Sequence, residues 1–443
     1  LLARLWSYTE DCVMKKVLIS VIVFLFVFSA FQSAQSTDHK YYWMKIEAHD
    51  KFQRSVIANT GASIEIVKDD YVIAYGNEVN LKKIKSIARV IAASDMMAEE
   101  RFHIQTGFGT RDFPASDSTF HNYSELTAEL QKLALDNPDL VHMSSIAKTN
   151  ENRDIWVMHI TKNLSDASQK PGVIYMGGHH AREHVSVEIP LLWAQYLITE
   201  YRKGNQRVMN LVDSRDIHII PAVNPDGLEY DVSGAKYKLW RKNRSHNNDG
   251  TFGVDLNRNY GYGWGTGGSS KNTSDDTYMG PSAFSEIETQ AIKNYVDAHT
   301  NITILLSTHT FSKLILYPWG GTNDPINIVN DQQVHEKMAK KMATWNGYKP
   351  EQASDLYIAS GDTTDWSYGV HKIISFTFEL DPDSSAGSDL GSIFGGKCEK
   401  LFAPGCAGFY PGQATINPTF QKNIEPFLYL LDRADNPYRV LNE

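Results

Sequence analysis

A short apolar run at residues 173–176 stops at Gly177-Gly178 and hands over to a long helical pattern that begins near His184. The same strand, turn and helix order recurs along the chain. Strands are predicted at 155–161, 172–178, 217–223, 302–307 and 372–380, and helices at 123–137, 184–202, 285–298, 331–346 and 418–435. Alternation on this scale restricts everything from residue 112 onward to one α/β domain with helices on both faces of a sheet. Side chains that do chemistry then gather beyond the strand ends, where the backbone leaves the sheet and can open a cleft.

The front of the chain reads differently. Residues 37–104 carry strands at 41–47, 63–67 and 71–75 and a helix at 80–100 with Leu81, Ile84, Ile87 and Ile91 on one face. This is a compact α+β pattern with no His, Cys or acidic cluster suited to catalysis. A Gly-containing connector at 105–114 exposes Arg111 to proteases, which predicts a propeptide over 37–111, cut near Arg111-Asp112, and a functional domain over 112–443. Further upstream, Met14 and two lysines, an apolar stretch at 17–28 and a small, polar stretch at 29–36 have the three-part build of a secretory signal peptide. Its apolar core is shorter than the roughly 20 residues a membrane span needs. Ala34 and Ser36 place cleavage after Ser36, so 14–36 is the expected signal peptide, with Met14 as the start and an extracellular or periplasmic destination. No stable membrane association is expected after cleavage. Cys12 leaves with the signal, and the remaining pair, Cys398 and Cys406, is expected to form one disulfide in an exported protein. A net charge of −9 without a sustained basic run excludes a nucleic-acid binder.

His180 and Glu183 sit where the 172–178 strand passes into its helix, and a His and a Glu three residues apart can reach one Zn²⁺ together. Alone, the pair carries little, because a chain with 15 histidines contains a His-x-x-Glu by chance. His309, ending the strand at 302–307, would complete a two-His, one-carboxylate set with a fourth position open for water, the arrangement of catalytic zinc. Asp255 could orient a ligand imidazole from behind. In the 372–380 strand, period two puts Ile374, Phe376 and Phe378 on one face and Ser375, Thr377 and Glu379 on the other. A carboxylate ending an apolar strand is costly unless paired or used, so Glu379 is a candidate general base. The loop arginines at 241, 244 and 258 suit a carboxylate or a developing oxyanion.

Taken together, His-His-Ala-Arg-Glu-His (179–184), Trp-Arg-Lys-Asn-Arg (240–244), Val-Asp-Leu-Asn-Arg-Asn-Tyr (254–260) and Tyr-Ile-Ala-Ser-Gly-Asp-Thr-Thr-Asp-Trp (357–366) resemble the zinc metallocarboxypeptidases of the carboxypeptidase A/B family, nearest the bacterial T type. The resemblance covers 112–438 with the motifs in family order. It implies a mixed, mostly parallel eight-stranded sheet flanked by helices, an α/β fold preceded by a small α+β prosegment. It implies one Zn²⁺ on His180, Glu183 and His309, with Asp255 behind them. Arg244 is expected to polarise the scissile carbonyl and Glu379, 22 residues after Tyr357, to act as the base. Asn257, Arg258 and Tyr357 are expected to take the substrate's terminal carboxylate, and Arg182 to bind substrate further out. Thr364 and Asp362 are expected to set a pocket that accepts hydrophobic and basic C-terminal residues. The T type also binds structural Ca²⁺, for which no ligands are read here. Phe311 departs from the pattern, standing where many relatives have Tyr.

The implied activity is removal of C-terminal residues from peptides and proteins with a free C-terminus, by a monomer made as a secreted zymogen. A cell-wall peptide carboxypeptidase and a non-catalytic peptide-binding protein on the same fold are the alternatives. His180 to His184 also fits H-x-x-E-H, which would make His184 a ligand and Glu183 the base of an endopeptidase.

Overall fold

The fold is given by a computed structural model that describes residues 40–95, 112–113, 115–234, 237–381, 408–409 and 411–443. The expected signal peptide, Arg111, Cys398 and Cys406 lie outside these residues. No helix among the described residues is long and apolar enough to cross a membrane.

Eight strands form the main sheet: β5 (Val141–Lys148), β6 (Asp154–Ile160), β7 (Gly172–Met176), β8 (Asp216–Ile220), β9 (Ile302–Thr310), β10 (Leu314–Tyr317), β11 (Lys349–Gln352) and β12 (Ile374–Leu380), in the order β11-β10-β12-β9-β7-β8-β6-β5. The central pairs β8/β7, β7/β9 and β9/β12 are parallel, as is β10/β11, while β5/β6, β6/β8 and β10/β12 are antiparallel. Parallel strands need both faces covered, and β7 shows why its run is continuously apolar. Val173 and Tyr175 join one core layer with Trp193, Leu197, Phe427 and Met338, whereas Ile174 and Met176 join the opposite layer with Ile292, Val296 and Trp366. Those partners come from helices Val185–Arg202, Ile416–Arg433 and Val329–Asn346 on one face, and Ile287–Ala298 and Thr363–His371 on the other. Phe376 and Phe378 of β12 are fully buried in the first layer, each contributing roughly 1.5–3 kcal/mol.

The turn after β7 is built for glycine. A Cβ on Gly177 would lie 1.9 Å from the Ser186 carbonyl oxygen, and Gly178 has φ +66°, a conformation that side chains disfavour. The helix that follows can therefore start directly against the strand end.

The N-terminal unit is a four-stranded antiparallel sheet, order β2-β3-β1-β4, from β1 (Tyr41–Glu47), β2 (Ser63–Val67), β3 (Tyr71–Asn77) and β4 (Val90–Asp95), with helices Lys51–Ala58 and Glu78–Ile87. Met44, Ile46, Ile57, Leu81 and Ile84 form its own core. Trp43, Ile66, Ile73 and Tyr75 belong instead to the large core of the α/β domain, so the small sheet is packed on both faces. The helix expected at 80–100 stops at Ile87. Ala88 turns extended (φ −145°, ψ 157°) and the chain returns as β4 along β1, which wins because it supplies a strand partner that a longer helix could not. Ile87 and Ile91, expected on the buried face, are exposed.

Candidate active site

The C-terminal ends of β7, β9 and β12 converge on one cleft. In the register of β9 and β12, Glu379 lies directly opposite His309. The turn after β7 brings the third element: the Glu183 N–H bonds the His180 carbonyl (3.2 Å), so the two side chains point the same way. His180 Nδ1 is 2.8 Å from Glu183 Oε1, His309 Nδ1 is 2.9 Å from Glu183 Oε2, and the two imidazole nitrogens are 3.2 Å apart. All three residues are buried.

That arrangement fits a metal better than a hydrogen-bonded cluster. Asp255 Oδ1 lies 3.2 Å from His180 Nε2 and orients that ring, so His180 Nδ1 is turned toward His309 and Glu183. Burial would raise the carboxyls of both Asp255 and Glu183. It is outweighed by Arg241 and His180 for the first and by His180 and His309 for the second, so both acids stay below the ordinary carboxylate range. The His309 imidazole is lowered, chiefly by burial. Two imidazole nitrogens and one carboxylate make the donor set of catalytic zinc. His184, the extra ligand of the endopeptidase reading, is held by Asp231 at 2.8 Å and takes no part in the cluster.

Around these ligands is a cleft of about 450 Å³, lined in part by His180, Glu183, Arg241, Asn257, Arg258, Tyr357, Asp362, Thr364 and Glu379. Burial, then repulsion from Glu183 and Glu65, raises the Glu379 carboxyl well above its ordinary range. Arg258 is oriented by bonds from Nε to the Gly268 carbonyl (2.9 Å) and from Nη1 to the Asn257 carbonyl (2.8 Å). Asn257 Oδ1 accepts from the N–H and hydroxyl of Thr363, both at 3.1 Å. Asp362 caps the helix Thr363–His371 through Oδ1, while its other oxygen is buried without a hydrogen-bond partner.

Two expected residues are elsewhere, Arg244 and Arg182. Arg244 lies outside the cleft lining, its guanidinium 3.7 Å from the Tyr230 ring and 4.3 Å from the Phe252 ring, with Glu151 3.6 Å from Nε. The aromatic surroundings hold it there, and the arginine of the same motif that lines the cleft is Arg241, whose Nε donates to Asp255 Oδ2 at 2.9 Å. Arg182 is buried, paired with Asp276 (3.0 Å) and with Glu65 of the N-terminal unit (2.5 Å). Sequence reasoning missed Glu65, although an acid inside the apolar strand Ser63–Val67 was a signal. It counted Arg241 among the candidate loop arginines but gave the carbonyl-polarising role to Arg244, three positions on.

Residues 126–426 match the family described as Zinc carboxypeptidase. The chain is 38% identical over 344 residues to the zinc carboxypeptidase of Saccharothrix mutabilis subsp. capreolus, covering 75% of this chain and 74% of that protein. It is 34% identical over 271 residues to human carboxypeptidase A1, covering 59% of this chain and 62% of that protein. Its fold is similar to that of carboxypeptidase A from Helicoverpa armigera, with a TM-score of 0.68 at 23% identity over 91% of this chain and 98% of that one. With a family match that spans most of the α/β domain, the chain belongs to the zinc carboxypeptidase family and is a metallocarboxypeptidase.

Proposed function

We propose that this metallocarboxypeptidase is made as an exported zymogen. Once freed of residues 37–111, it removes hydrophobic and basic residues from the free C-termini of peptides and proteins. The observation that carries the reading is one cleft in which the His180, Glu183 and His309 donors, Glu379 and Arg258 face each other while Glu65 enters from the N-terminal unit. His180, Glu183 and His309 would hold a Zn²⁺, which when bound would supply a Lewis acid and make a nearby water acidic enough to react near neutral pH. Glu379 takes the proton of the attacking water and returns it to the departing amine. Arg241 donates to the scissile carbonyl oxygen as negative charge grows there. Arg258, with Asn257 and Tyr357, takes the terminal carboxylate, which makes the enzyme read a chain end.

The zymogen reading rests on contacts that a substrate would have to displace. Tyr357 donates its hydroxyl to the Ile64 carbonyl (3.3 Å), and Arg182 holds Glu65. Arg54 donates to the carbonyls of Leu356 (2.6 Å) and Asp355 (2.9 Å), next to Tyr357 in the chain. Export rests on the signal-like stretch at 14–36 alone. Release of free amino acids from unblocked and C-terminally amidated peptides, before and after cutting between 95 and 112, tests the whole reading. The expected result is release only from free carboxyl ends, only after processing, abolished by a zinc chelator and restored by Zn²⁺. Equal activity of the uncut chain removes the zymogen; cleavage of amidated peptides removes the exopeptidase.

Specificity rests on the mixed chemistry of the pocket. Thr364 supplies a short side chain and Asp362 a buried, unpartnered carboxylate oxygen, 3.3 Å from where a Cβ on Gly320 would sit. A buried acceptor of this kind favours a cationic side chain. Asp362→Asn is expected to lower kcat/KM for C-terminal Arg by about 10-fold or more, consistent with roughly 1.5–3 kcal/mol for a charged hydrogen bond, and to leave C-terminal Leu nearly unchanged. An equal loss for both would show that Asp362 acts only as a helix cap.

A further inference from the structure

On the main sheet, away from the catalytic cleft, β8 opens with Asp216 and places His218 on the same face two residues on; β6 sets His159 directly opposite His218. The three side chains form a second group whose ligand atoms lie within 4.8 Å of one another, and none of them lines the cleft. His159 Nε2 contacts Asp216 Oδ1, and His218 Nε2 lies 3.1 Å from Asp216 Oδ2. Asp216 is 1% exposed and His218 fully buried. His218 Nε2 is thus a buried nitrogen whose neighbour of opposite character is the buried Asp216 carboxylate.

The groups behind the cluster fix its orientation. Tyr295, on the helix Ile287–Ala298, holds His218 Nδ1 at 2.8 Å. Asn301 donates Nδ2 to Asp216 Oδ2 at 2.7 Å. Partners of this type fix the direction of a ligand imidazole and carboxylate around a metal. The Nε2 atoms of His159 and His218 both face the Asp216 carboxylate, so three potential ligand atoms converge on one point between β6 and β8.

We infer that His159, Asp216 and His218 form a second site for a zinc-class divalent cation, which would bridge the antiparallel strand β6 and its neighbour β8. Two imidazole nitrogens with one carboxylate suit Zn²⁺ or Co²⁺, whereas Ca²⁺ and Mg²⁺ prefer all-oxygen sets. His159 is partly exposed, which gives the ion a route in and leaves room for water as a fourth ligand.

Zinc content of the full chain, saturated with Zn²⁺ and dialysed free of excess, tests this. About two zinc ions per parent chain are expected, and about one in His218→Gln and in His159→Gln. The double variant His180→Gln/His309→Gln, lacking the catalytic ligands, should keep about one, and on loading with Co²⁺ should show the visible absorption of a tetrahedral site. If His218→Gln does not fold, His159→Gln at the partly exposed position carries the comparison. About one zinc in the parent and none in the folded double variant would overturn the site, as would two zinc ions retained by folded His159→Gln.

Discussion

Replacing Glu379 by Gln leaves the zinc content of the protein unchanged and lowers kcat by about 10²–10⁴. The exchange is nearly isosteric, so it keeps β12 and its buried phenylalanines in place. It removes only the ability to accept a proton. Glu379 is not one of the three clustered donors, which is why the metal should stay while turnover goes. Its carboxyl is raised by burial and by the neighbouring acids Glu183 and Glu65. On the zymogen reading proposed above, loss of the N-terminal unit would remove Glu65, and a cation at the His180 site would offset Glu183, so both would move Glu379 toward the ionised form a base requires. Metal content by elemental analysis, beside steady-state rates on one peptide, reads the two effects separately. Substantial residual turnover in a zinc-loaded Gln variant would remove Glu379 as the base.

Arg241→Ala and Arg244→Ala should behave oppositely. The first is expected to lower kcat by about 10²–10³, the usual cost of an oxyanion donor. The second should leave kcat within a few-fold and instead lower stability by roughly 0.5–2 kcal/mol, the worth of a guanidinium packed on aromatic faces. The reason is positional. Arg241 lines the cleft and is oriented by Asp255, which also orients His180, so one carboxylate aligns both a ligand and a donor. Arg244 is held between Tyr230 and Phe252. Rates and thermal unfolding of both variants decide the matter, and a large kcat loss in Arg244→Ala with none in Arg241→Ala would reverse the assignment.

What the sequence made legible follows from how local each signal is. The β7 strand, its glycine turn and the helix after it are adjacent in the chain, so His180 and Glu183 could be paired by spacing alone. The apolar run of β9 located His309, and period two along β12 put Glu379 on the face away from Ile374 and Phe376, where it is found. The two arginines were not separable in that way. Both belong to one motif, and what distinguishes them is the aromatic pair around Arg244 and the carboxylate beside Arg241, which are tertiary contacts. The break at Ala88 was equally hidden, because residues 80–95 carry a helical periodicity and only the open edge of β1 makes β4 a better use of them. The strands β10 and β11 were missed for a related reason: each is four residues long and depends on a neighbouring strand, β10 on β12 and β11 on β10, rather than on its own pattern.

The alignment of β12 with β9 carries a consequence for how this catalyst can vary. Sliding β12 by a single residue would turn Glu379 to the far side of the sheet and drive Phe376 and Phe378 out of the layer they fill. The position of the base is therefore locked to the packing of the domain, and it cannot drift independently of the fold. Residues off the sheet, Asp362 and Thr364 at the start of the helix Thr363–His371 among them, are under no such lock. Change in which chain ends are accepted should arise there, while the chemistry stays fixed by the sheet.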